Sequence, residues 1–355
     1  MKHETVIRDF AAMGRRITDY LRRSDRCPPL AVAVQKSIAA NSWFTEATVR
    51  TMLTAIADDM LDAPKLARWL LPYPVATTPK QTGVVMAGNI PLAGFHDFLC
   101  VLASGNLFTG KLSHKDPFLL PALAGLLTEI NPEWRRRITF VDALSLDALH
   151  ALIATGSDAT ARHFETLVAS LARAHSPTMR TLIRHNRRSA ALLTGHETPA
   201  QWQALTDDIL AYFGFGCRNV SLLYIPEGYD LQPLTAALAA RADVRRHAGY
   251  DHLYRYRKAI LTIDRQSFVD AESVVLCEDP TLHAPPAVVH YSYYRRPNDA
   301  LEMIGRQSEQ LQCVVAGRLV TNKFCTFGMA QRPALHDYAD GTDTMRWLNE
   351  KNTVN

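Results

Sequence analysis

From Thr82 onward, short apolar runs alternate with amphipathic stretches, and this alternation restricts the fold more than any other feature of the chain. Strands that pair in parallel need a crossover of a dozen or more residues between them, and a helix is the usual one. The runs predict strands at Thr82–Ala87, Leu107–Leu112, Ile138–Val141, Leu149–Ala154 and Ala190–Leu193, with helices after Pro91, Asp116, Ser145 and Ser157. These make one doubly wound lobe. A helix over Gln201–Phe213 then leads into Gly214-Phe215-Gly216-Cys217, and a strand at Val220–Ile225 begins a second α/β lobe. That lobe continues with a helix at Leu231–Ala240 and strands at Ala259–Ile263, Ser273–Cys277, Val288–Tyr293 and Cys313–Ala316.

Ahead of the alternating part, Ile7, Phe10, Met13, Ile17 and Leu21 recur at helical spacing, as do Met52, Ile56 and Met60. The segment from Pro72 to Pro79 ends this helical region. The expected division is therefore a helical region 1–79, a first α/β lobe 80–197, a second α/β lobe 198–322, and a C-terminal segment 323–355 that returns to the first lobe or to an oligomer interface. A chain of 355 residues is too long for one small core and suits two lobes.

Charge excludes some partners. The formal net charge is +4, with no Lys/Arg block dense enough for a nucleic-acid arm, so a small anionic ligand accounts for the surplus better than DNA does. No apolar run is long enough to span a bilayer, and Met1-Lys2-His3-Glu4 does not open a leader, which predicts a cytoplasmic chain without a membrane span. Six cysteines lack any C-x-x-C pair, so neither a zinc site, nor any other metal site, nor a disulfide framework is expected.

Four short motifs can carry chemistry. Cys217 follows two glycines on a sharp turn before a strand, where substrate can approach and a nearby cation can favour the thiolate; a packed core cysteine is the alternative. Asn89, in Gly88-Asn89-Ile90-Pro91, stands at the carboxyl end of a strand, where open α/β sheets bind ligands; its amide can donate to an oxyanion or simply cap the next helix. Lys111, Ser113, His114 and Lys115 cluster after another strand and can hold ribose hydroxyls and phosphate. Gly156 and Ser157 lie at a strand-to-helix turn whose free N–H groups suit a pyrophosphate, though ordinary turns look the same.

Other motifs fail. No G-x-G-x-x-G follows a strand, and the G-x-x-x-x-G-K run ending at Lys111 has Leu112 where a P-loop needs Ser or Thr. The G-x-S-x-G of serine hydrolases and the H-E-x-x-H of metalloproteases are missing.

Taken in order, Gly88-Asn89-Ile90-Pro91, Gly105-Asn106 with Lys111, Thr155-Gly156-Ser157 and Gly214-Phe215-Gly216-Cys217 resemble the successive motifs of the aldehyde dehydrogenase superfamily. Gly88–Asp97, Gly216–Ser221 and Gln312-Cys313-Val314-Val315 are most similar to the fatty acyl-CoA reductase family of the bacterial bioluminescence systems. The resemblance runs from about Thr82 to Leu348. It implies a variant Rossmann cofactor domain, an α/β catalytic domain and an element that allows a homo-oligomer. It also implies Cys217 as nucleophile, Asn89 and the Cys217 N–H as oxyanion hole, and Lys111 and Ser157 as cofactor contacts.

Two departures sharpen what the resemblance implies. Hydrolytic members carry a glutamate base on a strand matching roughly Arg184–Gly195, but no Asp or Glu occurs from Thr166 through His196, a stretch that holds Arg173, Arg180, Arg184, Arg187 and Arg188. Exchange with a thiol is thus expected over hydrolysis. NAD-preferring members place a glutamate three residues after the lysine, where this chain has His114 followed by Lys115, which suits the 2′-phosphate of NADPH. The resulting expectation is NADPH-dependent reduction of an acyl-CoA or acyl-carrier protein thioester to aldehyde. An oxidising aldehyde dehydrogenase and a non-catalytic acyl- or nucleotide-binding protein are the alternatives.

Overall fold

The computed structural model describes residues 2–156, 162, 165–166, 179–185, 187–317 and 324–350. The chain forms two units, Met1–His185 with Pro333–Asn355, and Asn186–Arg332.

In the first unit, β1 (Gln81–Val85), β2 (Leu107–Lys111), β3 (Ile138–Phe140), β4 (Ala151–Gly156) and β5 (Arg180–His185) form a parallel sheet in the order β3-β2-β1-β4-β5. The first strand is central, so the chain turns outward in opposite directions on its two sides, and the crevice at such a reversal is where open sheets bind ligands. Four N-terminal helices, His3–Arg22, Pro28–Ala40, Glu46–Ala55 and Ala63–Leu70, share one apolar core with this sheet. Thr45 starts the third by accepting the Thr48 N–H at 3.1 Å, and Asp62 starts the fourth by accepting that of Lys65 at 3.0 Å. Phe10 stacks edge-on against Phe98 and Trp134, while the buried Asp9 beside it accepts from the Trp134 and Asn131 side chains at 2.9 and 2.8 Å. The helical N-terminus therefore shares the core of the first unit.

The same unit contains a buried ion pair. Arg184 on β5 donates through Nη1 to both Asp97 oxygens at 2.7 and 2.8 Å, and through Nη2 to Thr344 Oγ1 at 2.7 Å. This fastens the helix Phe95–Ala103 and the last helix, Thr344–Asn349, to the edge of the sheet.

In the second unit, β6 (Arg188–Leu192), β7 (Val220–Pro226), β8 (Phe268–Asp270), β9 (Val275–Glu278), β10 (Val288–Tyr294), β11 (Leu311–Ala316) and β12 (Phe324–Thr326) run in the order β12-β11-β6-β7-β10-β9-β8. All neighbours are parallel except β8 and β9.

The structure corrects four local expectations. The strand expected at Ala190–Leu193 in the first lobe is β6, between β7 and β11 of the second sheet. Ala259–Ile263 ends the helix Ala248–Ile263: Tyr250 and Tyr254 bury one face at a four-residue spacing and His247 Nδ1 accepts the Tyr250 N–H at 3.1 Å, which overrides the apolar run. After Ser145 there is one 3-10 turn, Leu146–Ala148. The first helix of the sheet begins at Phe95 with Gly94 as its cap, four residues beyond Pro91. The helix expected after Ser157 lies outside the described residues.

Candidate active site

Of the six cysteines, Cys217 alone is exposed. The helix Pro199–Leu210 delivers it, but not directly. Tyr212, Phe213 and Gly214 all take left-handed backbone conformations, with φ of 50°, 59° and 76°. Two aromatic residues there are strained, and burial holds them: both side chains are in the core, and Phe213 stacks on His247 at 4.4 Å between ring centres. The reversal brings Gly216-Cys217-Arg218-Asn219 to the amino end of β7.

Asn219 closes that turn. Its N–H donates to the Gly216 carbonyl at 3.1 Å, and its side-chain oxygen accepts the Gly216 N–H at 2.8 Å. Its amide nitrogen lies 3.1, 3.2 and 2.8 Å from the carbonyl oxygens of Asp208, Ile209 and Ala211, satisfying groups that the end of the helix leaves open. From the next strand, the Ser189 hydroxyl donates to the Cys217 carbonyl at 3.1 Å. Where β6 meets β7 the register slips at Ser221, a bulge of the kind common beside active sites. Cys217 thus offers its thiol from a backbone held on both sides.

Asp208 ties a further loop to this turn. Its carboxylate accepts the N–H groups of Gly328 and Ala330 at 2.6 and 3.0 Å. Burial raises it to about 7, against the pull of those two amides. Arg218 donates to the Ala330 carbonyl at 3.5 Å, so the 328–330 loop lies beside the cysteine turn. Nothing local in the sequence marks Asp208 or Ser189 for these duties; Asn219 has one signal, its place two residues after the cysteine.

In the first unit, Asn89, Lys111, Ser113, His114, Lys115 and Gly156 gather at the carboxyl edge of the sheet, after β1, β2 and β4. Asn89 is exposed and is not a helix cap, since the cap is Gly94 five residues later. The loops after β1 and β2 touch closely: a Cβ on Gly88 would lie 2.4 Å from Ser113 Oγ, so no other residue fits without displacing it. Asp116 locks the same two loops by accepting the Leu92 N–H at 2.8 Å, with Leu92 in a left-handed conformation at φ 55°. Lys111 is half-buried at its strand end, and His114 and Lys115 are exposed. Ser113 Oγ accepts the Lys115 N–H at 3.2 Å, which leaves its own proton to donate. Gly156 is the last residue of β4, whereas Ser157 lies outside the described residues.

Among the described residues there is no cluster of three metal-binding side chains, and no helix is long and apolar enough to cross a membrane.

No protein-family model matches the sequence, and no curated protein matches it. Solved structures do match. The 1-pyrroline-5-carboxylate dehydrogenase of Thermus thermophilus aligns with 98% of this chain and 80% of its own, at a TM-score of 0.61 and 13% identity. The Thermus 1-pyrroline-5-carboxylate dehydrogenase with bound NAD aligns over 87% and 69%, at 0.60 and 14%. Aldehyde dehydrogenase 21 of Physcomitrella patens, in complex with the reaction product succinate, aligns over 87% and 73%, at 0.58 and 13%. These likenesses, together with the Rossmann-like parallel sheet and the second, mainly parallel sheet, give the chain the aldehyde dehydrogenase fold.

Proposed function

We propose that this chain reduces an acyl-CoA or acyl-carrier protein thioester to an aldehyde, with Cys217 as nucleophile and NADPH as the reductant. The observation that carries the reading is the exposure of Cys217, alone among six cysteines, on a turn pinned by Asn219 and Ser189.

The carboxyl edge of the first sheet fits a phosphorylated dinucleotide. Lys111, Ser113, His114 and Lys115 supply donors, Gly156 leaves backbone bare, and no carboxylate bridges Lys111, His114 or Lys115 among the described residues. When bound, the nicotinamide supplies the hydride that takes the acyl group to the aldehyde level.

The chain's own residues do the rest. Cys217 thiolate attacks the thioester carbonyl, the carbonyl oxygen becomes an oxyanion that the Cys217 N–H stabilises by donating to it, and the donor thiolate departs as the oxyanion collapses. The product of that exchange is an acyl thioester on Cys217. One thioester replaces another, so the step needs no ATP. After reduction, collapse of the thiohemiacetal frees the aldehyde and restores the thiolate. The absence of any Asp or Glu from Thr166 through His196 favours acyl transfer over hydrolysis.

Oxidation of NADPH, followed as loss of its absorbance with acyl-CoAs of a series of chain lengths, tests the proposal. Turnover should occur in wild type and vanish in Cys217→Ala. A chain that consumes NADPH with no acyl-CoA tested, or a Cys217→Ala variant that turns over normally, does not have this function.

A further inference from the structure

Where β6 meets β7, Ser189 pairs with Val220, and the Ser189 hydroxyl reaches the Cys217 carbonyl. The preceding residue, Arg188, therefore stands at the amino end of the same two strands, beside the turn that carries Cys217. Its backbone is fixed from the other side as well: it lies opposite Leu311 on β11, and its N–H donates to the Gln310 carbonyl at 3.0 Å. The Arg188 side chain is half-buried. A guanidinium keeps its proton at any accessible pH, so burial leaves a positive charge short of water and in need of an anion.

No carboxylate fills that need among the described residues. Burial lowers the Arg188 guanidinium from its ordinary value, and the single influence that raises it is the Cys217 thiolate. Such an interaction is mutual: the field by which the thiolate favours the guanidinium also favours thiolate over thiol.

Resting on the reading of Cys217 as the reactive thiol, we propose that Arg188 is its counter-charge, holding Cys217 as thiolate from the first residue of the adjoining strand. This assigns to an arginine the activation that thiol nucleophiles elsewhere draw from a histidine or a helix end.

Other charged and titratable groups lie around the turn. Arg218 faces the Ala330 carbonyl and also acts on Cys325, and Arg187 donates to the Leu311 carbonyl at 3.1 Å. The Cys313 thiol lies 3.1 Å from Ser189 Oγ; beyond it, the hydrogen bond to Cys313 and then burial push the Cys325 thiol up, keeping it neutral. Asp208 faces this cysteine pair, and its rise to about 7 weakens the negative charge it would set against the thiolate near neutrality.

The test is the pH dependence of Cys217 alkylation by iodoacetamide, followed by peptide mass mapping, in wild type, Arg188→Gln, Arg188→Met and Arg188→Lys. Loss of the charge should raise the midpoint of the rate profile and slow alkylation at neutral pH about tenfold, the equivalent of about one unit in pKa. Arg188→Lys should stay within about threefold of wild type, because it keeps the charge on a similar stem. Arg188→Met keeps the apolar packing, so it reads the charge if Arg188→Gln does not fold. A midpoint unchanged in the neutral variants, or moved as far by Arg188→Lys as by Arg188→Gln, overturns the proposal. Iodoacetamide needs no acyl substrate, so an Arg188-dependent thiolate that forms no acyl adduct leaves the counter-charge standing and removes only the acyl-transfer reading.

Discussion

The side-chain oxygen of Asn219 accepts the Gly216 N–H at 2.8 Å, so the residue two places after the exposed cysteine holds the residue one place before it. Asn219 is 2% exposed, and its amide nitrogen also serves three carbonyls at the end of the preceding helix. Replacing it with Ala would leave an N–H and up to three carbonyl groups buried without partners.

Asn219→Ala should therefore lose about 2–4 kcal/mol of stability in denaturant unfolding. Asn219→Asp keeps the acceptor for Gly216 but sets a carboxylate against three carbonyls, and should also be destabilised. Cys217 alkylation should slow in both. Wild-type stability in Asn219→Ala would mean that the turn is held by other contacts.

The pair Asp97 and Arg184 predicts a different pattern. Both are nearly fully buried, at 8% and 4% side-chain exposure, so removing one partner strands the other's charge. Asp97→Ala or Arg184→Met alone should cost about 3–5 kcal/mol, and the double replacement less than the sum of the two. Additive losses in a double-mutant cycle would contradict the pairing.

Asp208 makes stability depend on pH. Its folded value of about 7 lies above the ordinary 3.8, so between about pH 4 and about pH 7 the folded state keeps a proton that the unfolded chain releases. The stability it contributes is present below this window and is lost as pH rises through it, on the order of 4 kcal/mol for about three units. Asp208→Asn removes the titration, so its unfolding free energy should gain on wild type as pH rises through the window. A difference between the two that stays constant with pH would show that Asp208 does not titrate there.

Much of this architecture is legible in the sequence, and the failures have physical causes. Strands such as Val220–Pro226 are buried on both faces and read as continuous apolar runs. The strand Arg180–His185 is half arginine and histidine, so its pattern looks like surface even though Arg184 is buried by its pairing with Asp97. The assignment of β6 to the second sheet depends on which strands it meets, which no local pattern encodes. The same holds at the candidate site: Cys217 and Asn89 stand out beside glycines, but Asp208, Ser189 and Arg188 act through partners far away in the sequence. The close approach of Ser113 to Gly88 is equally non-local.

Cofactor choice follows from the exposed His114 and Lys115 beyond β2. Neither opposes a 2′-phosphate, whereas a carboxylate at position 114 would repel one. Wild type should prefer NADPH to NADH in kcat/KM, and His114→Glu should erode that preference by about tenfold or more, about 1.4 kcal/mol. Equal use of the two cofactors by wild type would refute the assignment.

The mass of the intact protein after incubation with an acyl-CoA, without any nicotinamide cofactor, shows whether Cys217 carries a covalent acyl group. General-base assistance typically contributes about 10²–10⁴-fold, and no acid from Thr166 through His196 supplies it, so the adduct should survive water for many turnover times. The predicted result is one added acyl group that maps to Cys217, is absent from Cys217→Ala, and is discharged as aldehyde when NADPH is added. An adduct on another cysteine, or aldehyde formed at full rate by Cys217→Ala, would rule out Cys217 as the nucleophile.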